Sequence, residues 1–216
     1  MTKLDDLALS IELVLISLIE SVALTFLAEH SIPALESPDA IKFVPYIIGG
    51  LAIILVFWAQ SILHAISFIR WPIRVSHMFL YFVAAFLQIL AYSTLGNLQM
   101  WFLWWTIFTG VGLIMYMVDL WIIKETRAQT TDATWQEFLA EVERRHIYEM
   151  RFLVPAALVF NLAALITVSV APQLFESPLA YAIPGILQVL VTAGAIYDCV
   201  KNFRSRSAMI KEVFEK

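Results

Sequence analysis

The chain has 216 residues, of which 61% are hydrophobic and only 15% are charged, and its mean hydropathy is +0.79. Globular domains carry about 25% charged residues, so this composition excludes an ordinary water-soluble domain and indicates an integral membrane protein. The net charge of −4 with scattered basic residues excludes a nucleic-acid-binding surface. The single cysteine, Cys199, excludes a disulfide scaffold within the chain.

Six apolar segments follow one another along the chain, and each is long enough to cross a hydrocarbon layer of about 30 Å. The sequence therefore predicts an all-α integral membrane protein with six transmembrane helices, at about 7–28, 43–69, 75–95, 101–123, 152–171 and 179–200. The first segment is not followed by a small-residue cleavage site, so we interpret it as a retained span and not as a signal peptide. A single transmembrane domain over 1–216 is expected.

Basic residues alternate between the predicted loops. The loops after the first, third and fifth spans contain one lysine, Lys42, and no arginine, whereas the other loops and the C-terminal tail contain most of the basic residues. The positive-inside rule then predicts that both termini and the segment 124–151 lie in the cytoplasm. We expect a multi-pass protein of the cell inner (plasma) membrane.

The segment 124–151 is the longest polar interval, and it contains a predicted helix. The sequence from Thr134 to Glu137 has the pattern of a capping box, which predicts a helix start near Trp135. An apolar stripe follows at helical spacing, formed by Trp135, Phe138, Leu139, Val142 and His146. No helix breaker precedes Pro155, so this helix either continues into the fifth span with a kink near Pro155 or lies on the membrane surface.

Counting along the spans places five polar side chains near half-depth in the bilayer: Glu20, Gln60, Gln88, Asn161 and Gln188. Amides in spans can simply join helices by hydrogen bonds. A carboxyl group at this depth must be protonated, paired or hydrated. The layer therefore predicts either structural hydrogen bonds or a proton or cation path past Glu20.

A second polar group is predicted at the cytoplasmic ends of the spans, and we interpret it as an inner vestibule. Its members are Glu12, His64, Arg70, Arg74, Asp119 and Asp198. A vestibule of mixed charge would suit ion entry or anion binding. Ordinary interfacial salt bridges would give the same pattern.

The four histidines are predicted at different depths, with His30 outside, His64 and His77 near the inner surface, and His146 in the cytoplasmic helix. This placement argues against a histidine-ligated metal or a haem, so no metal ligands and no cofactor are expected. The sequence contains no HExxH, CxxC, GxSxG or P-loop motif. We therefore assign no catalytic residues and do not expect an enzyme, although an intramembrane enzyme built from Asp119, Asp198 and His64 is a third hypothesis.

Two functions lead. The first is an oligomeric channel or transporter-like protein with a polar midplane layer around Glu20. The alternative is a non-transporting membrane sensor or scaffold, of a stress or defence type, that docks a cytoplasmic partner through the stripe and the C-terminal tail at 201–216. A small chain needs shared interfaces to enclose a wide polar path, so a homo-oligomer is expected, with Gly49–Gly50 and the pair Gly110 and Gly112 at close helix contacts.

Overall fold

The computed structural model describes residues 3–68 and 74–214, with side chains described as far as Arg204, so Arg70 of the predicted vestibule lies outside it. In these residues the chain forms seven α-helices and no strand. The helices are α1 (Lys3–Glu36), α2 (Ala40–Phe68), α3 (Val75–Tyr92), α4 (Leu98–Gln129), α5 (Ala133–Tyr148), α6 (Val154–Val170) and α7 (Pro178–Phe214). A π-helical turn, Glu149–Leu153, joins α5 to α6, and a 3-10 turn, Pro172–Phe175, precedes α7.

Six helical stretches in the described residues are long and apolar enough to cross a membrane: α1, α2, α3, α4, the continuous rod from α5 through α6, and α7. Large apolar side chains lie on the outside of the bundle, among them Phe86 at 59% exposure and Leu190 at 63%. Such a surface is expected where lipid and not water surrounds the protein. The all-helical, six-span prediction is confirmed at this level, while the side on which the termini lie stays a prediction.

The first two helices are longer than the predicted spans. Helix α1 passes Pro33 and ends at Glu36, and α2 begins at Ala40 and contains Pro45. A proline removes one backbone hydrogen bond. Both prolines lie close to a helix end, and the helix continues on both sides of each. The loop between the two helices is therefore shorter than predicted and consists of residues 37–39.

The helix before the fifth span continues into that span, which decides between the two predicted arrangements. The rod from Ala133 to Val170 has 38 residues, roughly 57 Å at 1.5 Å per residue, so it is longer than a hydrocarbon layer. Its first turn is capped by Asp132, whose side chain accepts hydrogen bonds from the N–H groups of Thr134 and Trp135. The cap therefore lies two residues before the predicted one.

The π-helical turn lies directly before Pro155, close to the predicted kink. Proline lacks an N–H group and its ring crowds the preceding turn. A wider turn at Glu149–Leu153 relieves both problems without ending the helix.

Helix α2 packs mainly on α7 and α1, whereas α4 packs mainly on α3 and α6. A Cβ atom at Gly49 would lie against Val189 and Gln188 of α7, and one at Gly50 would lie 3.0 Å from the ring of Tyr92. The predicted role of this glycine pair at subunit contacts is therefore wrong, because the pair is already used for contacts inside the chain.

Gly185 provides a test of the contact between α2 and α7. An added Cβ would lie 2.9 Å from Cζ of Tyr46 and 3.0 Å from Cβ of Pro45. Overpacking costs about 1–3 kcal/mol and the gain in helix propensity offsets about 1 kcal/mol of it, so we expect Gly185→Ala to destabilise the protein by about 1–2 kcal/mol. Thermal unfolding in detergent measures the change.

Gly194→Ala is the matched control, since it lies in the same helix with no atom within 4 Å of the added Cβ. It should keep or raise the unfolding temperature. A Gly185→Ala protein as stable as the wild type would contradict the packing of α2 on α7.

Candidate functional site

The carboxylate of Asp119, in α4, lies between two histidines from neighbouring helices. Nδ1 of His64, in α2, is 3.0 Å from Oδ2, and Nε2 of His77, in α3, is 2.8 Å from Oδ1. The second contact is short but lacks the alignment of a good hydrogen bond. Asp119 is 1% exposed. One acid therefore joins three helices in the interior of the bundle.

Two further residues extend this arrangement. Oε1 of Glu12, in α1, is 3.7 Å from Nδ1 of His77. The ring of His146, in α5, packs edge-on against that of His64, with the centroids 5.2 Å apart. We call these five residues the acid–imidazole cluster: Glu12, His64, His77, Asp119 and His146. Each comes from a different helix, α1 to α5, and each is buried.

A second polar network lies beside the cluster and is centred on Glu149 in the π-helical turn. Its carboxylate accepts hydrogen bonds from Arg145 Nε at 3.1 Å, from Asn202 Nδ2 at 2.9 Å and from the hydroxyl of Tyr116 at 3.2 Å. Arg145 and Asn202 also contact Asp198. Tyr116 links the two groups, because its carbonyl oxygen lies 2.9 Å from Nε2 of His146.

The two groups differ in how their acids are compensated. Arg145 carries a permanent positive charge and is shared between Glu149 and Asp198. The ion pairs of Glu12 and Asp119 are with imidazoles, which are charged only when protonated. Burying an uncompensated carboxylate is costly, so the cluster needs protons on its histidines, a proton on a carboxyl group, or another cation.

A cavity of about 560 Å³ lies between α2, α4, α6 and α7. Its walls are mostly apolar, with side chains such as Phe57, Phe108 and Phe160. Several polar residues interrupt them, among them Gln60, Ser61, His64, Asp119, Asn161, Gln188, Thr192 and Asp198. The acid–imidazole cluster therefore borders the cavity through His64 and Asp119.

The predicted midplane layer separates into two groups. Gln60, Asn161 and Gln188 line the cavity, whereas Glu20 and Gln88 are not among its lining residues. Glu20 is buried beside Gln88, away from the cavity. Counting residues along a span gives the height of a side chain and not the direction in which it points, and the predicted path past Glu20 relied on height alone.

The predicted vestibule is only partly assembled. His64 contacts Asp119, Glu12 is connected to Asp119 through His77, and Asp198 lies in the neighbouring network. Glu12 and Asp119 are buried, whereas Asp198 is partly exposed, so the group is an interior cluster and not an open mouth. Arg74 does not join it, because it pairs with Glu125 at 2.6 Å and stacks on the ring of Trp121.

The predicted separation of the histidines is wrong. His64, His77 and His146 meet around Asp119, although His146 was assigned to a helix outside the membrane. The reason is that α5 folds back against α2 and α4. His30 alone lies elsewhere among the described histidines, with its ring near the Phe26 carbonyl.

The apolar stripe of α5 is not a docking surface. Phe138, Leu139 and Val142 are at most 3% exposed and pack in the core of the bundle, with Trp135 partly buried against the same core. His146 is part of the acid–imidazole cluster. The stripe covers the ends of other helices in its own chain, which sequence periodicity cannot distinguish from binding a partner. A cytoplasmic partner stays a prediction, but the stripe of α5 is not the surface that would bind it.

The sequence analysis placed His77 near the inner surface without joining it to Asp119, and it missed Tyr116, Glu149 and Asn202. Two spacings could have indicated Glu149 and Asn202. Glu149 follows His146 by three residues, and Asn202 follows Asp198 by four. Each therefore shares a helix face with a residue that the sequence analysis named as a candidate.

Comparisons of this chain with protein-family models, with curated proteins and with solved structures find no match. Its function must therefore be argued from its own residues.

The buried network around Glu149 gives a stability prediction. Glu149→Gln removes the charge that accepts these hydrogen bonds, while Arg145 keeps Asp198 as a partner, so we expect a loss of about 1.5–3 kcal/mol. Unfolding of the purified protein in detergent, followed by tryptophan fluorescence, measures it.

Glu141→Gln is the control with the same chemical change, because Glu141 pairs with Arg144 on the exposed face of the same helix. Exposed pairs contribute little, so no resolvable change is expected. Equal effects of the two substitutions would show that burial does not set the strength of these ion pairs.

Proposed function

We propose that this protein is a membrane transport protein that binds an amphipathic organic molecule in the cavity between α2, α4, α6 and α7. The volume of about 560 Å³ falls within the range of about 300–1,000 Å³ that is typical of small-molecule sites. Mostly apolar walls with a few polar groups are also typical of such sites. A simple ion path would instead be expected to have polar walls throughout.

The observation that carries this proposal is a set of polar atoms without a partner in the protein. Oε1 of Gln60, Nε2 of His64 and Oδ1 of Asn161 belong to cavity-lining residues, are buried, and make no hydrogen bond within the described chain. Buried polar atoms are normally satisfied. A molecule with polar groups at these positions would satisfy them, whereas the remaining walls favour its apolar part.

The packing of the last helices supports entry from the bilayer. Helix α6 packs on α4, whereas α7 packs on α2, although the two follow one another in the chain. Both contribute cavity residues, such as Ala157 and Val191. The space between them is the proposed route for an amphipathic molecule.

This route replaces the path past Glu20. It needs only one chain, so the expected homo-oligomer is not required to complete the site.

Filling the cavity tests the proposal. Gly112 lines the cavity and has no atom within 4 Å of an added Cβ, so Gly112→Trp starts in open space and is chosen to fill the cavity. In nanodiscs, a panel of alkylammonium, alkylsulfonate and long-chain alcohol compounds is screened by thermal shift. A ligand at 100 times its Kd should stabilise the wild type by about 2.7 kcal/mol, and this gain should vanish in Gly112→Trp.

Gly110→Trp is the matched control. Gly110 lies on the same helix with equally open space beside it, but it does not line the cavity. It should retain the ligand-induced shift. Loss of the shift in both variants, or in neither, would count against binding in this cavity.

The unpartnered amide gives a second test of the same site. Asn161→Leu should weaken binding of the identified ligand about tenfold, since one lost hydrogen bond is worth about 1–1.5 kcal/mol. Gln88→Leu removes an amide that is buried outside the cavity and should leave Kd unchanged. Uptake of the ligand into proteoliposomes should fall in Asn161→Leu only. A ligand that binds but never crosses the bilayer would refute transport while leaving the binding site intact.

A further inference from the structure

We propose that His64, Asp119 and His146 bind one divalent transition-metal ion, of which Zn²⁺ is the best example. One ring nitrogen from each histidine and one carboxylate oxygen lie within 4.8 Å of one another, and all three residues are buried. The site does not rest on the transport proposal, because its evidence is the ligand geometry and the charge of the cluster.

The distances are close to those of a formed site. Zinc bonds of about 2.0–2.1 Å in a tetrahedral arrangement place neighbouring ligand atoms about 3.3 Å apart. Nδ1 of His64 and Oδ2 of Asp119 are already 3.0 Å apart. The ligand atoms lie within 4.8 Å of one another, so closing the His146 side by at most about 1.5 Å would complete a three-ligand arrangement of normal dimensions.

The surrounding contacts are those that orient metal ligands. Histidine ligands usually donate their second ring N–H to a carbonyl or carboxylate, and ligating carboxylates are themselves held by hydrogen bonds. Nε2 of His146 faces the carbonyl oxygen of Tyr116, so a neutral His146 presents Nδ1 to the metal. The far oxygen of Asp119 contacts His77, which in turn lies beside Glu12.

Charge also favours a divalent cation. With neutral imidazoles and both carboxyl groups ionised, Glu12 and Asp119 give the cluster a charge of −2, and their ion-pair contacts include no lysine or arginine in the described residues. One divalent ion would neutralise this charge. It would allow the histidines to remain neutral, as metal ligands must be.

The ligand set selects the class of ion. Two imidazoles and one carboxylate suit zinc and its neighbours in the transition series, whereas Mg²⁺ and Ca²⁺ prefer oxygen ligands only. Three protein ligands leave a coordination position open. Because His64 and Asp119 line the cavity, this position would face the cavity, where a polar group of a bound molecule could reach the ion.

Metal content of the purified protein tests the inference. The full chain, purified in detergent with a histidine-free tag, is loaded with Zn²⁺, freed of excess metal and measured by inductively coupled plasma mass spectrometry. About one zinc per chain is expected in the wild type. His146→Gln and Asp119→Asn should lose most of it, and His77→Gln should weaken affinity by about 10–100-fold as an orienting residue.

His30→Gln is the control, since His30 lies outside the cluster, and it should retain the full zinc content. Wild-type protein without bound zinc, or with the same content in all variants, would overturn the proposal. X-ray absorption spectroscopy of the zinc-loaded wild type needs no variant, so it is not affected by variants that fold poorly. A zinc coordination shell with two imidazoles supports the site, and a coordination shell without imidazole refutes it.

Discussion

The burial of the Asp119 carboxylate is the constraint on which the bundle depends. A charge in the interior is tolerated only if other groups compensate it. The ion-pair partners of the two Asp119 oxygens come from other helices. Compensation comes from His64 on α2 and His77 on α3, and His77 in turn contacts Glu12 on α1. The relative positions of four helices at this end of the bundle are thus set by hydrogen-bonding and ionic contacts as well as by apolar packing.

Apolar packing acts in the same region. Phe138, Leu139 and Val142 of α5 enter the core formed by α1 to α4. The residues of the acid–imidazole cluster are themselves buried, and the low polarity of the interior strengthens the interactions among them. The cavity begins where this packing ends, because α6 and α7 rest on different partners and leave space between them. Buried charge and open space are therefore neighbours in this fold, with His64 and Asp119 belonging to both.

The sequence was sufficient to predict an all-helical chain with six long apolar helices, since this follows from hydropathy and from the length needed to cross about 30 Å. The depth of the polar residues in the bilayer stays a prediction, whereas the contact of His64 with Asp119 is present in the structure. The sequence was not sufficient to give the direction of a side chain around its helix. For this reason Gln88 and Gln188 were assigned to one layer, although they lie in different parts of the interior. The burial of α5 could not be predicted either, because its apolar stripe has the same pattern whether it packs on its own chain or on another protein.

The π-helical turn has a mechanical consequence. It joins α5 and α6 into one rod that carries His146 just before the turn and Asn161 beyond it, so the two residues cannot move independently unless the turn itself changes. Tilting α6 away from α7, as admission of a bulky molecule would require, would displace the His146 ring relative to Asp119. A molecule bound in the cavity would in this way change the position of the His146 ring. In turn, a shift of the His146 ring would change how easily a molecule enters the cavity from the lipid.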